Sequence, residues 1–200
     1  MSNLKYQQRE TWLEASMTLC IMHICDKAGI DPSEFDKVKI RIACSWLGGQ
    51  RTKRAIAQCV KASCANDGHI GINISPARET PIDVVSDVMH ELIHALMFIR
   101  GDECGHRGAF ARIAKQCGFL APMTSTPMSD ALRPELQAIA DQLGDYPHGA
   151  VDINARKKQT TRMVKVECIP CNNIARQSRT AYETHGLTCG SCDQPMFENA

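Results

Sequence analysis

Residues 80–110 read TPIDVVSDVMHELIHALMFIRGDECGHRGAF, and this stretch decides the fold. Thr80 is a helix-capping residue type, Pro81 suits the first helical position, and Asp83 favours the positive end of a helix dipole. Val84, Val85, Val88, Met89, Leu92, Ile93, Leu96 and Ile99 then recur at helical spacing and give a wide apolar surface. Gly101 is placed to end the helix.

Inside that helix stand His90, Glu91 and His94. Residues four apart share one helix face, so His90 and His94 can offer two imidazole nitrogens to one metal ion. Glu91, beside the first of them, is placed to act on a water in the same site. H-E-x-x-H is the pattern of zinc-dependent hydrolases, and a catalytic zinc takes three protein ligands and keeps one position open. The metzincin spacing would require Gly at Met97 and His at Arg100, and both fail. His106, at the start of the next expected helix (residues 106–117), is the preferred third ligand. Asp102, Glu103 and Cys104 remain alternatives on the same loop.

Working outward, residues 8–28 show helical periodicity through Trp12, Ala15, Leu19 and Met22, with Gly29 as C-cap. Val38, Ile40, Ile42, Cys44 and Trp46 alternate with smaller or polar residues, as on a strand with one buried face. Gly48-Gly49 supplies a turn, and residues 55–60 read as a second strand. Asp67-Gly68 is a hairpin turn signal before a third strand that places Ile70, Ile72 and Ile74 on one face. A further helix is expected over residues 130–143. The pattern implies a small, mixed or antiparallel three-stranded sheet against helices, an α+β fold.

The tail carries Cys168-Ile-Pro-Cys171 and Cys189-Gly-Ser-Cys192. Two such pairs with short strands between them read as a zinc ribbon whose four thiolates hold a structural ion. The expected organisation is a domain over 1–150, a basic linker over 151–164 and the ribbon over 165–200. The other cysteines, Cys20, Cys25, Cys44, Cys59, Cys64, Cys104 and Cys117, read as small core residues.

A net charge of +1 excludes a generally basic nucleic-acid coat protein. Residues 156–165, however, hold Arg156, Lys157, Lys158, Arg162 and Lys165 without an acid, and with Arg176 and Arg179 they make the span 156–179 a candidate DNA contact. The apolar run 17–25 is too short to cross a bilayer. Eleven cysteines, four of them in C-x-x-C pairs and no leader pattern before them, suggest a reduced, cytoplasmic protein.

The segment HELIHALMFIRGDECGHRGAF resembles the core of SprT-like zinc metallopeptidases, a family that includes the Spartan DNA-protein crosslink proteases. Its H-E-x-x-H-A, variable loop, and His four residues before a Phe fall on His90, Glu91, His94, Ala95, His106 and Phe110. The C-terminal ribbon is similar to that of bacterial SprT proteins. Arg107 departs from the family, which usually has Gly there; Gly108 is displaced by one. The resemblance implies a zincin-like core and two zinc ions. The catalytic zinc would lie on His90, His94 and His106, and the structural zinc on Cys168, Cys171, Cys189 and Cys192. It further implies Glu91 as general base and proton donor, and a protein or peptide substrate. Tyr146 and His148 are conceivable stabilisers of an oxyanion. The rival reading is a non-catalytic nucleic-acid-binding or transcription-associated protein in which the ribbon is the active part.

Overall fold

A helix that is apolar around most of its circumference is stable only when protein surrounds it. In the computed structural model, which describes residues 4–45, 56–103, 105–152, 155 and 163–198, that helix is α2 (Pro81–Ile99). It belongs to the first of two compact units, Met1–Ile153 and Asn154–Ala200. Val84, Val85, Val88, Met89, Leu92, Ile93 and Leu96 on α2 are fully buried. Around them pack α1 (Arg9–Ala28), α3 (Gly108–Gln116), α4 (Leu132–Leu143) and the strands β2 (Ala57–Val60) and β3 (Ile70–Ile74). Each such side chain contributes about 1.5–3 kcal/mol by leaving water, which explains why α2 holds the centre.

The sheet of this unit runs β1-β3-β2, with β1 (Ile40–Cys44) parallel and β2 antiparallel to β3. Ile72 lies between Ile42 and Cys59 in register, and Ile70, Ile72 and Ile74 all turn into the core while Gly71 and Asn73 face the other way. β1 starts two residues later than the alternation predicts, because a 3-10 helix over Pro32–Lys37 runs up to Val38. Trp46 and the Gly48-Gly49 turn lie outside the described residues. Asp67-Gly68 does not join its strands as a tight hairpin. Residues 61–69 connect them through a 3-10 turn at Ala62–Cys64, and Gly68 N–H closes onto the Ala65 carbonyl at 3.0 Å.

Three helix ends also differ from expectation. Thr80 precedes α2 but its hydroxyl makes no cap bond, so the start rests on Pro81 and on the backbone bond from Val84 N–H to Thr80 O at 3.1 Å. α3 begins at Gly108, which leaves His106 in the turn before it. α4 begins at Leu132. The end of α2 matches its signal: Gly101 takes φ +70°, its N–H reaches Phe98 O at 3.1 Å, and Asp102 N–H reaches Met97 O at 2.9 Å. These two bonds satisfy the last carbonyls in the Schellman manner. Trp12 Nε1 donates to Gly144 O at 3.1 Å and so ties α1 to the end of α4.

In the second unit β4 (Val164–Glu167) is central, flanked antiparallel by β5 (Ile174–Gln177) and β6 (Phe197–Glu198). Val164, Val166, Cys168, Cys189 and Met196 form its small core. A short helix, α5 (Arg179–His185), went unread in the sequence; Ser178 Oγ caps it by accepting from Ala181 N–H at 3.3 Å. Among the described residues the protein is thus α+β with two small three-stranded sheets. Arg156, Lys157, Lys158 and Arg162 lie outside the described residues. Among the described residues no helix is long and apolar enough to cross a membrane.

A Cβ at Gly101 would meet open space, so only the left-handed backbone opposes Gly101→Ala. The variant is expected to lose about 1–2 kcal/mol, read from the midpoint of urea unfolding at unchanged slope.

Candidate metal centre

His90 and His94 point from one face of α2, and the turn after Gly101 brings His106 back over them. Their Nε2 atoms converge: His106 Nε2 stands 3.2 Å from His90 Nε2 and 3.1 Å from His94 Nε2. The three offer ligand atoms within 4.8 Å of one another and could hold a metal ion. Phe110, fully buried on α3, supports all three rings. It stacks on His94 with centroids 4.2 Å apart and meets His90 and His106 at 5.1 Å each. Arg107 is extended (φ −119°, ψ −174°), and the positive φ values fall on Gly105 (+58°) and Gly108 (+51°). The turn that presents His106 therefore does not need glycine at position 107.

Burial, then the neighbouring imidazoles, holds the His90 pKa down at about 3. Burial, then the His106 imidazole, holds His94 at about 4, and burial lowers His106. Each of these shifts favours the uncharged ring. One proton between two nitrogens can satisfy a pair but not a converging trio, so lone pairs are left facing one point. That donor set is what a cation completes.

Glu91 is 5% exposed. Burial raises its pKa to about 8, the Asp87 charge adds to this, and the Cys59 backbone opposes it. Asp87, one turn earlier on the same face, is held by Arg78 through two bonds of 2.7 and 3.0 Å. Burial still pushes Asp87 up to about 6 against that guanidinium. Glu91, Asp87 and the three histidines open onto a cleft of about 390 Å³. Its lining also includes Ile56, Ala57, Gln58 and Cys59 of and beside β2, and Thr124, Ser125 and Thr126. Lys61, in the same lining, pairs with Glu103 and lies 5.6 Å from the Phe98 ring. His90 Nδ1 lies 2.8 Å from Thr126 Oγ1.

The expected third ligand is therefore the one brought to the cluster. Glu103 is engaged with Lys61, Asp102 follows the helix stop, and Cys104 lies outside the described residues. Tyr146 and His148 do not line the cleft. Tyr146 packs on Trp12 at 4.8 Å, and His148 Nε2 donates to Pro76 O at 2.9 Å. Asp87 was legible in retrospect, as the carboxylate one turn before Glu91 on the same helix face. Thr126 carries no such signal. Of the remaining cysteines, Cys20, Cys25, Cys44 and Cys117 are buried, Cys59 lines the cleft and Cys64 is exposed.

The second donor set is Cys168, Cys171, Cys189 and Cys192. Cys168 Sγ is 3.3 Å from Cys192 Sγ, and Cys171 Sγ is 3.5 Å from both Cys189 Sγ and Cys192 Sγ. The two knuckles repeat one backbone design. Asn172 N–H bonds to Cys168 O at 2.7 Å, and Asp193 N–H bonds to Cys189 O at 2.9 Å. Cys168 N–H and Cys189 N–H return to Asn173 O and Gln194 O at 2.9 and 2.8 Å. Asn172 and Asp193 both take positive φ, 56° and 54°, a conformation these residue types tolerate. The backbone N–H of Ser191, then the Asn173 amide, lowers the Cys189 thiol, while burial raises the adjoining Cys168 thiol, so Cys189 is the sulfur of the set most inclined to lose its proton.

No family model, curated protein or solved structure matches this chain.

Elemental analysis of the full chain is expected to find two metal equivalents. His106→Ala should retain one, and Cys171→Ser should independently remove the other.

Proposed function

We propose that the protein is a zinc-dependent metallopeptidase of the SprT-like type, with a zincin-like core and a C-terminal zinc ribbon. The observation that carries this reading is the convergence of three imidazole Nε2 atoms, with the buried carboxyl of Glu91, in the lining of one cleft. Zinc bonds imidazole at about 2.0–2.1 Å, and a tetrahedral ion then separates its nitrogens by about 3.3–3.4 Å. The Nε2 separations of 3.1 and 3.2 Å fit that ion with little adjustment. Four cysteine sulfurs fit the second zinc, which they would enclose in a structural site.

Bound at the histidines, zinc supplies Lewis acidity: it makes water acidic near neutral pH and polarises a carbonyl oxygen. The chain's own residues do the rest. His90, His94 and His106 would hold the ion, and three protein ligands would leave a fourth position for water or substrate. The charge of a neighbouring cation would offset the burial of Glu91 and favour its carboxylate form, and Glu91 would then take the proton from the attacking water and deliver it to the leaving amine. β2 is at the edge of its sheet among the described strands, and residues 56–59 border the cleft. An extended peptide laid along it could pair with its backbone, the mode in which a strand is added to a sheet.

A contact with DNA is the second part of the proposal, and it would place the substrates among DNA-associated proteins in a cytoplasmic enzyme. Lys165 and Arg176 stand opposite each other on β4 and β5, a like-charge pair that costs stability unless an anion offsets it. Phe197 and Ile174, both about half exposed, flank Glu167 on the same sheet face. Cations beside an exposed aromatic suit phosphates and a stacked base. The same face favours the rival reading, a ribbon that binds nucleic acid in a protein without peptidase activity.

Two measurements separate these. Glu91→Gln is expected to keep both zinc ions and to lose cleavage of protein substrates by at least about 100-fold; unchanged cleavage removes the proposed mechanism. Lys165→Glu with Arg176→Glu is expected to weaken DNA binding and flatten its salt dependence by about two units of slope. If DNA binding is lost in that variant while wild-type protein cuts nothing with or without DNA, the rival reading stands.

A further inference from the structure

We propose that Thr126 is a positioning residue for the histidine site: its hydroxyl accepts from His90 Nδ1–H and locks that ring with Nε2 turned toward His94 and His106. The inference rests on the reading that a metal binds the three histidines, and on nothing about what the enzyme cuts.

Thr126 Oγ1 and His90 Nδ1 are 2.8 Å apart, and Thr126 is 5% exposed, so water does not compete for the bond. The direction of the bond follows from the far side of the ring. His90 Nε2 has His106 Nε2 at 3.2 Å, and a ligand nitrogen must present a lone pair there. The ring proton then resides on Nδ1, and the hydroxyl oxygen must accept it. Without that acceptor His90 can exchange tautomers or rotate, and either change withdraws a ligand.

The loop that carries Thr126 is built to hold the hydroxyl in place. Phe119 and Met128 bridge antiparallel at its neck, with Leu120 N–H on Pro127 O at 2.8 Å and Ser129 N–H on Gly118 O at 3.2 Å. Phe119 anchors the neck in the core at 2% exposed. Near the tip, Thr126 N–H donates to Pro122 O at 2.9 Å. Thr126 itself adopts φ +39°, a conformation that a β-branched residue strongly disfavours. Glycine or asparagine would occupy that backbone more easily. A threonine there is explained when the side chain, not the backbone, is what the position requires.

The test uses the full chain and zinc itself, in competition with a chromophoric chelator that resolves the two equivalents. Thr126→Val, which keeps the shape and removes the hydroxyl, is expected to weaken zinc at the histidine site about 10–100-fold. Zinc at the cysteine site should be unmoved and serves as the internal control for folding. Thr126→Ser should restore affinity close to wild type. Thr126→Gly relieves the backbone, so it should unfold no more easily than wild type and still bind zinc as weakly as Thr126→Val. In the metal-free chain, nitrogen NMR should find the His90 proton on Nδ1 in wild type and a tautomer mixture in Thr126→Val. Equal zinc affinity in wild type and Thr126→Val overturns the inference, as does failure of Thr126→Ser to rescue. A wild-type chain that binds zinc only at the cysteines overturns both this inference and the metallopeptidase reading.

Discussion

A helix buried on nearly every side has to dispose of any polar side chain it carries, and α2 carries four of them in two turns: Asp87, His90, Glu91 and His94. A buried polar group without a partner costs about 1–3 kcal/mol, so each must find one or face a cleft. Asp87 takes Arg78, and His90 takes Thr126 on its outer nitrogen. The Nε2 atoms of the histidines are left with one another and with His106. The cleft therefore lies where the apolar packing of α2 is interrupted, and its floor is a set of neutral nitrogen donors that a cation would satisfy.

The two donor sets solve opposite problems. In the C-terminal unit, knuckles of identical hydrogen bonding wrap four sulfurs around one point, and a tetrahedral ion there has no position left for another ligand. In the first unit, three nitrogens approach from the helix and the turn behind it, with Phe110 filling the space beneath the rings. An ion held there by three ligands would keep a fourth position. Under the proposed reading this difference in closure gives the sulfur set a structural part and the nitrogen set a chemical one.

Much of this was legible because it depends on local periodicity. The wide apolar surface of α2, the glycine that ends it, the alternating isoleucines of β3 and both C-x-x-C pairs are patterns within a few residues, and each recurs in the structure. The cluster of His90, His94 and His106 belongs to the same class, since all three fall within one helix and the following turn. What the sequence did not convey is nonlocal. Thr126 reaches His90 from a loop beyond α3, and Arg78 reaches Asp87 from before the helix. Pairing order was equally hidden: β1 and β2 both pair with β3 and not with each other, which no alternation pattern encodes. The departure at Arg107 had a local answer that sequence could not supply, since only the backbone reveals that the positive φ angles sit at Gly105 and Gly108.

That division between local ligands and nonlocal walls bears on how the proposed enzyme would choose substrates. The residues that would hold the ion and move the proton span positions 90–106, and the hydrogen bonds of α2 and its Schellman turn position the two histidines and the carboxylate on the helix. The walls of the cleft are contributed by residues 56–59, Lys61 and residues 124–126, which reach the site only through the packing of β2 and of the loop before α4. Substitutions at Gln58 or Thr124, both exposed on those walls, would change what lies against the cleft without touching a ligand. Thr126 is where the two parts join, since it borders the cleft and also holds His90. An enzyme arranged in this way would vary its specificity along the walls, but at Thr126 any change in the wall would also be a change at the histidine site.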